Sequence, residues 1–255
     1  MNNFNAIKPT LFIPLLGILL LALIFSTDSN LAAFLFINNI SQYTGETIWA
    51  YITLFGDPFV ILCFALILIN QFPRVALTII PAVIIGSLLV FPLKNSINAL
   101  RPEFVLLALE FHTIGSPPSS PAFPSGHTAG IFALATLLIL NINKFSFTLL
   151  ISFLAFIVGL ARIVVGAHWP IDICGGIVVG WFSAVIAFYI TQNWSLTPTY
   201  RHVLMSILLL ASIALIFRNT GYPQAQLMQW LVVLLGILTT IRHIVSYRYS
   251  AIKSD

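Results

Sequence analysis

The sequence predicts an all-α fold, a polytopic membrane helix bundle in which most of the chain crosses a lipid bilayer. Of its 255 residues, 59% are hydrophobic and only 7% are charged, whereas about 25% of the residues in an ordinary soluble domain are charged. Long apolar stretches recur along the whole chain, with few charges between them. So few charged side chains cannot cover a water-exposed surface, and lipid is therefore the expected solvent.

Eight apolar stretches account for the predicted bundle, because about 20 mostly apolar residues are needed to cross a hydrocarbon core about 30 Å thick. The stretches are Leu11–Phe25, Phe59–Ile69 with the preceding Trp49–Phe55 turn, Val75–Leu93, Thr128–Leu140, Phe147–Val165, Ile171–Thr191, Val203–Phe217 and Leu227–Ile244. The first follows Lys8 in the manner of a signal peptide. Because Ser26–Asn30 contains no clear small-x-small cleavage site, we expect a retained helix.

The polar segment Asn193–Thr199 divides the chain into two predicted parts. Residues 1–192 are expected to form a core of six spans, and residues 193–255 add two spans and a cytoplasmic tail. The sequence indicates no purpose for the two added spans. Cys63 and Cys174 lie in apolar stretches without the Cys/His spacing of a metal site, so both are expected to be buried thiols.

Lysine and arginine in the short loops predict the orientation of the bundle. With the amino terminus in the cytoplasm, seven cations face the cytoplasm and four face the opposite side. The seven are Lys8, Arg74, Lys144, Arg201, Arg242, Arg248 and Lys253, and the four are Lys94, Arg101, Arg162 and Arg218. We expect a plasma (inner) membrane protein. The cations form no basic stripe, so a nucleic-acid partner is not expected despite the net charge of +4.

The first polar cluster, Lys94 to Pro102, ends the third predicted span. Charges within a span cost about 2.5–3.5 kcal/mol each at mid-helix, so such residues are functional candidates by default. Seven residues are about two helical turns, which predicts that Lys94 and Arg101 share a helix face. Two cations on one face suit an anion such as phosphate. The alternative is a helix end whose cations extend toward the lipid headgroups.

The second cluster, Pro124-Ser125-Gly126-His127, opens the fourth predicted span. A helix amino terminus has unpaired N–H groups and a partial positive charge, and both favour anion binding. Gly126 allows a ligand to approach the backbone closely, and Ser125 adds a hydroxyl donor. His127 would then lie beside the anion as a proton donor or acceptor. The alternative is a plain helix cap followed by a solvated histidine.

The third cluster runs from Arg162 to Asp172, between the fifth and sixth predicted spans. His168 and Asp172 are four residues apart, which places them on one face if the segment is helical. A carboxylate bonded to one imidazole nitrogen fixes the tautomer and leaves the other nitrogen free as a nucleophile or base. Pro170 is compatible with a first helical turn. The alternative is a structural His–Asp pair that closes a turn.

Together the three clusters place two histidines, one carboxylate, three cations and a helix amino terminus on one predicted membrane face. These groups supply the nucleophile, the orienting carboxylate, the acid and the anion clamp of a phosphoryl transfer without a metal. No Asp/Glu cluster has metal-ligand spacing, so neither a metal nor a cofactor is expected. Two interpretations are open for Arg218. It could attract anionic headgroups or be a simple loop charge, and we favour the second.

The same residues resemble the type 2 phosphatidic acid phosphatase family, which is marked by Lys-x6-Arg-Pro, Pro-Ser-Gly-His and Ser-Arg-x5-His-x3-Asp. Lys94–Pro102 matches the first motif, Pro124–His127 the second and Arg162–Asp172 the third. One position departs from the pattern, since Ala161 stands where the family usually has Ser. The substitution removes a hydroxyl but no charged group. The last two predicted spans lie outside the resemblance.

The resemblance implies a role for each of these polar residues. His168 would attack phosphorus and form a phosphohistidine, and Asp172 would orient the ring. His127 would protonate the leaving oxygen and later activate water. The phosphoryl oxygens would be held by Lys94, Arg101, Ser125, Gly126 and Arg162.

The function implied by the resemblance is hydrolysis of a lipid mono- or diphosphate by an integral membrane phosphatase. The family's usual substrates are undecaprenyl diphosphate, phosphatidic acid and phosphatidylglycerol phosphate. An active site on the non-cytoplasmic face favours the diphosphate. Two alternatives remain open, a lipid phosphotransferase with the same site and a transporter. The charges lie at one membrane face rather than at mid-membrane, and no pair of broken helices marks an inverted repeat, which disfavours a transporter.

Overall fold

The computed structural model describes residues 7–116 and 119–254, and within them it contains helices and no strands. The all-α prediction is therefore confirmed. The helices are α1 (Phe12–Thr27), α2 (Asn30–Asn38), α3 (Ser41–Thr44), α4 (Glu46–Leu54), α5 (Pro58–Leu68), α6 (Pro73–Ile97), α7 (Gly126–Ile142), α8 (Phe145–Val164), α9 (Pro170–Thr191), α10 (Pro198–Ile216) and α11 (Gln226–Ser254). The side chains of Arg248 and Lys253, assigned above to the cytoplasmic face, lie outside the described part.

The eight predicted stretches correspond to three kinds of helix. Six helical segments of the described chain are long and apolar enough to cross a membrane. Helices α4 and α5 form a pair that passes the same test together but is bent by 66°. Helix α7 is apolar but has only 17 residues. The segment predicted as a turn, Trp49–Phe55, is instead mostly helix, because α4 runs to Leu54 before the chain bends at Gly56.

Helix α9 is the centre of the bundle. Its most apolar window is 67% buried, compared with 22–44% for the other five long segments. Glycines on α9 bring its backbone close to α7, since a methyl group on Gly176 would lie 2.7 Å from the Ser125 carbonyl oxygen and from Thr128 Cβ. Small residues at such a crossing let two helices in a membrane approach closely. The start of α7 is thereby fixed against the start of α9.

The polar clusters gather at one end of this bundle. Arg74 lies in the first turn of α6, and its guanidinium donates to the carbonyls of Thr191 and Gln192 at the far end of α9, at 3.3 and 3.2 Å. The helix then runs to Lys94 near the start of α7 and α9, so Arg74 and Lys94 lie at opposite ends. This arrangement agrees with the predicted topology, in which the two cations face opposite sides of the membrane.

The last two helices, α10 and α11, pack against α5. The Cys63 thiol donates to Ser212 Oγ at 3.0 Å across this contact, and Cys174 is a second buried free thiol. The loop of residues 217–222 between the two helices returns to the end of the bundle that carries the polar clusters. There the Ser116 N–H donates to the Gly221 carbonyl at 2.9 Å. The two helices therefore belong to the same packed body as the preceding spans.

Candidate active site

His168 is held by the first turn of α9. The helix begins at Pro170, so His168 precedes it and does not share a helix face with Asp172 as the spacing predicted. The carboxylate folds back instead, since Asp172 Oδ2 accepts from the Trp169 N–H at 2.8 Å and from His168 Nδ1 at 3.1 Å. Both His168 and Asp172 are buried. The predicted contact between His168 and Asp172 is therefore present, but it forms at the amino-terminal cap of α9 and not along a helix face.

The contacts of His168 assign its tautomer. Arg101 Nη1 lies 3.2 Å from His168 Nε2, and a guanidinium can only donate hydrogen bonds. Nε2 is therefore the acceptor, and the ring proton lies on Nδ1, where it is donated to Asp172. Burial, followed by the nearby charges of Arg101 and Arg162, lowers the pKa of His168 well below its usual range. The ring is neutral at pH 7, with its lone pair on Nε2.

Arg101 lies beyond the end of α6 and not on it. The helix ends at Ile97, and Asn98 turns the chain with a φ of 48°, a left-handed conformation that Asn tolerates. The prediction that Lys94 and Arg101 share a helix face is therefore wrong. The buried guanidinium is fixed by two carbonyl oxygens, with Nε donating to Ser120 and Nη1 to Ala167, each at 2.6 Å.

Lys94 points from the last turn of α6 toward the segment that precedes α7. Its Nζ donates to the carbonyl oxygens of Pro121 and Ala122. The side chain is half-buried and also lines a cavity with Gly126 and His127. Lys94 and Arg101 thus meet at the same site by separate routes, one from a helix and the other from a loop.

Ser125 and Gly126 form the amino terminus of α7. Ser125 is the N-cap, and its buried Oγ accepts from Thr128 Oγ1 at 3.0 Å. Its backbone N–H donates to the Asp172 carbonyl at 3.0 Å, which ties the second motif to the third. A methyl group on Gly126 would meet no atom within 4 Å. Open space therefore lies in front of this helix terminus, where an anion would be favoured.

His127 stands in the first turn of α7, between two cavities. It lines one cavity with Lys94 and a second with Arg162. Behind it lies the bend between α4 and α5, where a methyl group on Gly56 would be only 2.8 Å from His127 Cβ. The absence of a side chain at Gly56 therefore lets this bend pack directly against His127.

Arg162 lies in the last turn of α8 and is 1% exposed. Its Nη1 donates to Thr53 Oγ1 at 2.6 Å and to the Tyr222 hydroxyl at 2.7 Å. Its Nε has no hydrogen-bond partner among the described residues. Buried donors are rarely left unpaired, so an unpaired guanidinium N–H beside a cavity is consistent with a site for an anion.

Thr53 and Tyr222 were not predicted as site residues. They lie 109 and 60 residues from Arg162 along the chain. Neither carries a charge, and neither belongs to a motif. Their position depends on the tertiary packing of α4 and of the loop 217–222, so the sequence held no local signal for them.

Arg218 was expected to be a simple loop charge, but its side chain makes specific contacts. Arg218 Nε donates to Asp57 Oδ2 at 3.1 Å, and its guanidinium lies 4.8 Å from the centre of the Phe59 ring. Asp57 is buried and also caps α5 by accepting from the Phe59 N–H at 2.8 Å. Arg218 lines both cavities that His127 lines. This cation is therefore part of the site.

The cavity shared by Lys94 and His127 continues as an apolar groove of about 310 Å³. The groove lies between α6 and α7, and Ser183 of α9 also contributes to it. Besides Gly126 and Arg218, its other lining residues are almost all apolar or glycine, namely Pro58, Ala82, Val83, Gly86, Val90, Phe91, Ala129, Gly130 and Ala133, together with Ser87. An apolar groove that ends at cations and a histidine suits a ligand with a hydrocarbon chain and an anionic head.

The described residues contain no group of three His, Cys, Asp or Glu side chains that could hold a metal ion. The structure brings His168, Asp172 and Arg101 into direct contact. Cations and the α7 terminus surround them.

Comparison with known proteins assigns this arrangement to a family. Residues 75–196 match the PAP2 superfamily, an interval that contains all eight predicted site residues. The lipid A 4'-phosphatase of Bacteroides thetaiotaomicron is 28% identical over 186 residues, which cover 66% of this chain and 80% of that protein. An undecaprenyl-diphosphatase of Sulfolobus acidocaldarius is 29% identical over 147 residues, which cover 56% of this chain and 64% of that protein.

The fold agrees with a solved structure. The crystal structure of Aquifex aeolicus LpxE superposes with a TM-score of 0.57 and 27% sequence identity, covering 63% of this chain and 94% of that one. The membrane-spanning helices, the three motifs and these similarities agree with one another. The match to the PAP2 superfamily covers 122 of the 255 residues, and together with these similarities it supports a membrane lipid phosphatase.

Proposed function

We propose that this enzyme hydrolyses a lipid phosphate through a phosphohistidine formed on His168 Nε2. The arrangement around His168 carries the proposal, because Asp172 holds the Nδ1 proton while Nε2 presents its lone pair to a guanidinium. A neutral imidazole with a fixed tautomer is the form that attacks phosphorus. The remaining cations surround the place that the phosphoryl group would occupy.

In the first step, the Nε2 lone pair forms a bond to phosphorus, and the bond from phosphorus to the leaving oxygen breaks. Arg101 donates a hydrogen bond to Nε2 in the free enzyme. As the attack begins, this hydrogen bond must break, and the same N–H then donates to a phosphoryl oxygen. Asp172 stabilises the positive charge that develops on the ring. His127 donates a proton to the leaving oxygen, which departs on the lipid.

In the second step, water attacks the phosphohistidine. His127, now neutral, accepts a proton from the water, and the bond between nitrogen and phosphorus breaks. Inorganic phosphate leaves, His168 returns to its neutral form, and one water has been consumed for each phosphate released. The same histidine thus serves as acid and then as base, as microscopic reversibility allows.

The phosphoryl oxygens carry most of the charge in such a transition state, and preorganised donors lower its energy most. Lys94, Arg101 and Arg162 supply three cations, and open space lies beside Gly126 at the amino terminus of α7. The unpaired Nε–H of Arg162 can donate to a phosphoryl oxygen without breaking an existing hydrogen bond. We therefore assign the role of a metal ion to these fixed charges, and Ser125 acts by capping the helix that presents the N–H groups.

The apolar groove supports a long-chain lipid as the substrate. Two related proteins are named for lipid A and for undecaprenyl diphosphate. We place the active site on the non-cytoplasmic face of the plasma membrane, from the distribution of cations, and infer a lipid diphosphate as the substrate class.

Release of inorganic phosphate by purified protein in detergent tests the function. The substrates are undecaprenyl diphosphate, phosphatidic acid, phosphatidylglycerol phosphate and lipid A. We expect release to continue in excess chelator and the diphosphate to be the best substrate. Transfer of the phosphoryl group to a second lipid instead of water would indicate a phosphotransferase. Loss of activity in chelator, restored by Mg²⁺, would contradict the metal-free mechanism.

Thiol labelling in intact cells tests the orientation. Ser119 is exposed near the site, and Asn143 is exposed at the opposite end of α7. In a background without Cys63 and Cys174, Ser119→Cys should react with a membrane-impermeant reagent from outside, whereas Asn143→Cys should not. The reverse pattern would place the site in the cytoplasm.

A further inference from the structure

A second cavity, of about 350 Å³, lies beside His127 and is lined in large part by the loop of residues 217–222. We call it the outer cavity. His127 and Arg162 form its inner side, and Arg218 and Tyr222 form its outer side. Residues 217–222 lie outside the interval 75–196 that matches the family. The outer cavity is therefore partly built by a segment that the family match does not cover.

The outer cavity has unused hydrogen-bond donors. Arg218 binds Asp57 through Nε alone, and its terminal nitrogens bond to no described side chain. Arg162, which is 1% exposed and lines the cavity, has a buried Nε without a hydrogen-bond partner among the described residues. The Tyr222 hydroxyl accepts a hydrogen bond from Arg162 and keeps its own proton for another acceptor.

The charge in the outer cavity is positive. Arg162 and Arg218 contribute two cations, and Asp57 contributes the one carboxylate among its lining residues. A site with two guanidinium groups and a buried, unpaired donor suits a phosphate group, whose oxygens accept several hydrogen bonds. Such a site has too few carboxylates for a metal ion.

We propose that the outer cavity is a second anion subsite, which binds the inner phosphate of a lipid diphosphate while the terminal phosphate reacts at His168. This assignment rests on the proposed function and makes the substrate class more specific. His127 borders both cavities, so it lies where the bridging oxygen would be. Arg218 borders the apolar groove as well, so a phosphate bound there leads directly into a path for the lipid chain.

The order of groups along the substrate follows from these positions. His168 bonds to the terminal phosphorus, and the bond between this phosphorus and the bridging oxygen breaks. The inner phosphate leaves on the lipid as a monophosphate and remains beside Arg218. A lipid with a single phosphate has no group to place there. Arg218 should therefore distinguish the two substrate classes.

Arg218→Gln tests the subsite with two substrates of the same chain length, a polyprenyl diphosphate and a polyprenyl monophosphate. The ratio of their kcat/KM values should fall about 10- to 100-fold, the usual effect of losing a hydrogen bond to a charged group. Inhibition by inorganic pyrophosphate should weaken by a similar factor relative to inhibition by orthophosphate. Arg218→Lys should retain part of both preferences.

Two further variants separate recognition from folding. Arg218→Gln leaves Asp57 buried without its partner, so the double variant Asp57→Asn, Arg218→Gln removes that charge and keeps an N-cap residue on α5. It should show the same altered ratio. Arg201→Gln, which removes a cation bonded to Asn70 at the opposite end of the bundle, should leave the ratio unchanged.

The outcomes distinguish the subsite from the phosphatase itself. Equal losses for both substrates, or an unchanged ratio in both Arg218→Gln variants, would overturn the subsite while the proposed function stands. A wild-type enzyme that hydrolyses only monophosphates would do the same. Failure to release phosphate from any lipid would overturn the proposed function, and the subsite with it.

Discussion

The proposed active site has two walls of different origin. The inner wall consists of the motif residues between positions 94 and 172, and the outer wall consists of residues 53–57 and 218–222. In the inner wall, His168 and Asp172 are four residues apart and are joined by the cap of one helix. In the outer wall, Arg218 meets Asp57 across 161 residues of sequence. The inner wall holds the proposed chemistry, and the outer wall encloses and orients it.

This difference predicts two kinds of kinetic effect. Substitutions in the inner wall should lower turnover of every substrate, with His127 as an informative exception. Substitutions in the outer wall should change which lipid is preferred, or lower turnover modestly through Arg162.

His168→Ala should reduce turnover to background, because no other group can form the bond to phosphorus. A radiolabelled lipid phosphate should label the wild-type protein transiently, with the acid lability of a phosphohistidine, and should leave the variant unlabelled. His243→Ala is the control, since His243 lies far along α11, where its ring centre is 5.9 Å from that of His202. Equal labelling of wild type and His168→Ala would remove His168 from the nucleophile role.

Arg101→Ala and Arg162→Ala should each lower kcat by about 10²- to 10³-fold, the range for deletion of one transition-state donor. Arg74→Ala removes a cation from the opposite end of the bundle, where its guanidinium donates to the Thr191 carbonyl, and serves as the control. Its kcat should change little. A comparable loss in Arg74→Ala would indicate a general effect on folding instead of an anion clamp.

The residues of the inner wall could be identified from the sequence because charges are rare in this apolar chain. Arg162, His168 and Asp172 stand out at fixed spacings, and the structure places them at one site. Local geometry was less predictable. The helix carrying Lys94 ends at Asn98, where a single left-handed residue changes the route to Arg101, and nothing in the spacing distinguishes seven helical residues from a helix end and a loop.

The outer wall could not be found by the same reasoning. Tyr222 and Thr53 are neutral residues whose contact with Arg162 depends on how α4 and the final two helices pack. The pairing of Arg218 with Asp57 likewise depends on the bend at Gly56 and on the return of the loop 217–222. Such contacts are long-range, and a single sequence carries no spacing that indicates them.

His127→Ala should affect the two substrate classes unequally. An alkoxide that leaves a lipid monophosphate is strongly basic and needs a proton, whereas a phosphate monoester that leaves a diphosphate does not. The monophosphate reaction should therefore slow more, by about 10²-fold in the ratio of rates. Arg218→Gln should shift the same ratio in the opposite direction. Parallel losses for both substrates in His127→Ala would indicate a residue that only binds the anion.

Tyr222→Phe should have the smallest effect, because Tyr222 is a positioning residue that acts through Arg162. The Phe variant keeps the ring, which packs against Gly115 and lies 5.8 Å from the Arg162 guanidinium. It removes only the hydroxyl that accepts from Nη1 at 2.7 Å, and Thr53 remains as the second acceptor. Loss of one such bond, at about 1 kcal/mol, corresponds to about a fivefold decrease in kcat.

A purely structural role for Tyr222 would lower stability without this kinetic signature. We expect kcat to fall for mono- and diphosphates alike with KM nearly unchanged, since Arg162 is also assigned to the terminal phosphoryl group, which both substrates carry. Thr53→Val, the corresponding change on α4, should act similarly, and the double variant should lose more than either single variant because Arg162 then has no acceptor for Nη1. Detergent melting curves should show whether the fold is intact. If the double variant kept wild-type kcat, the orientation of Arg162 would not depend on the outer wall, and only the role of Arg218 would connect that wall to catalysis.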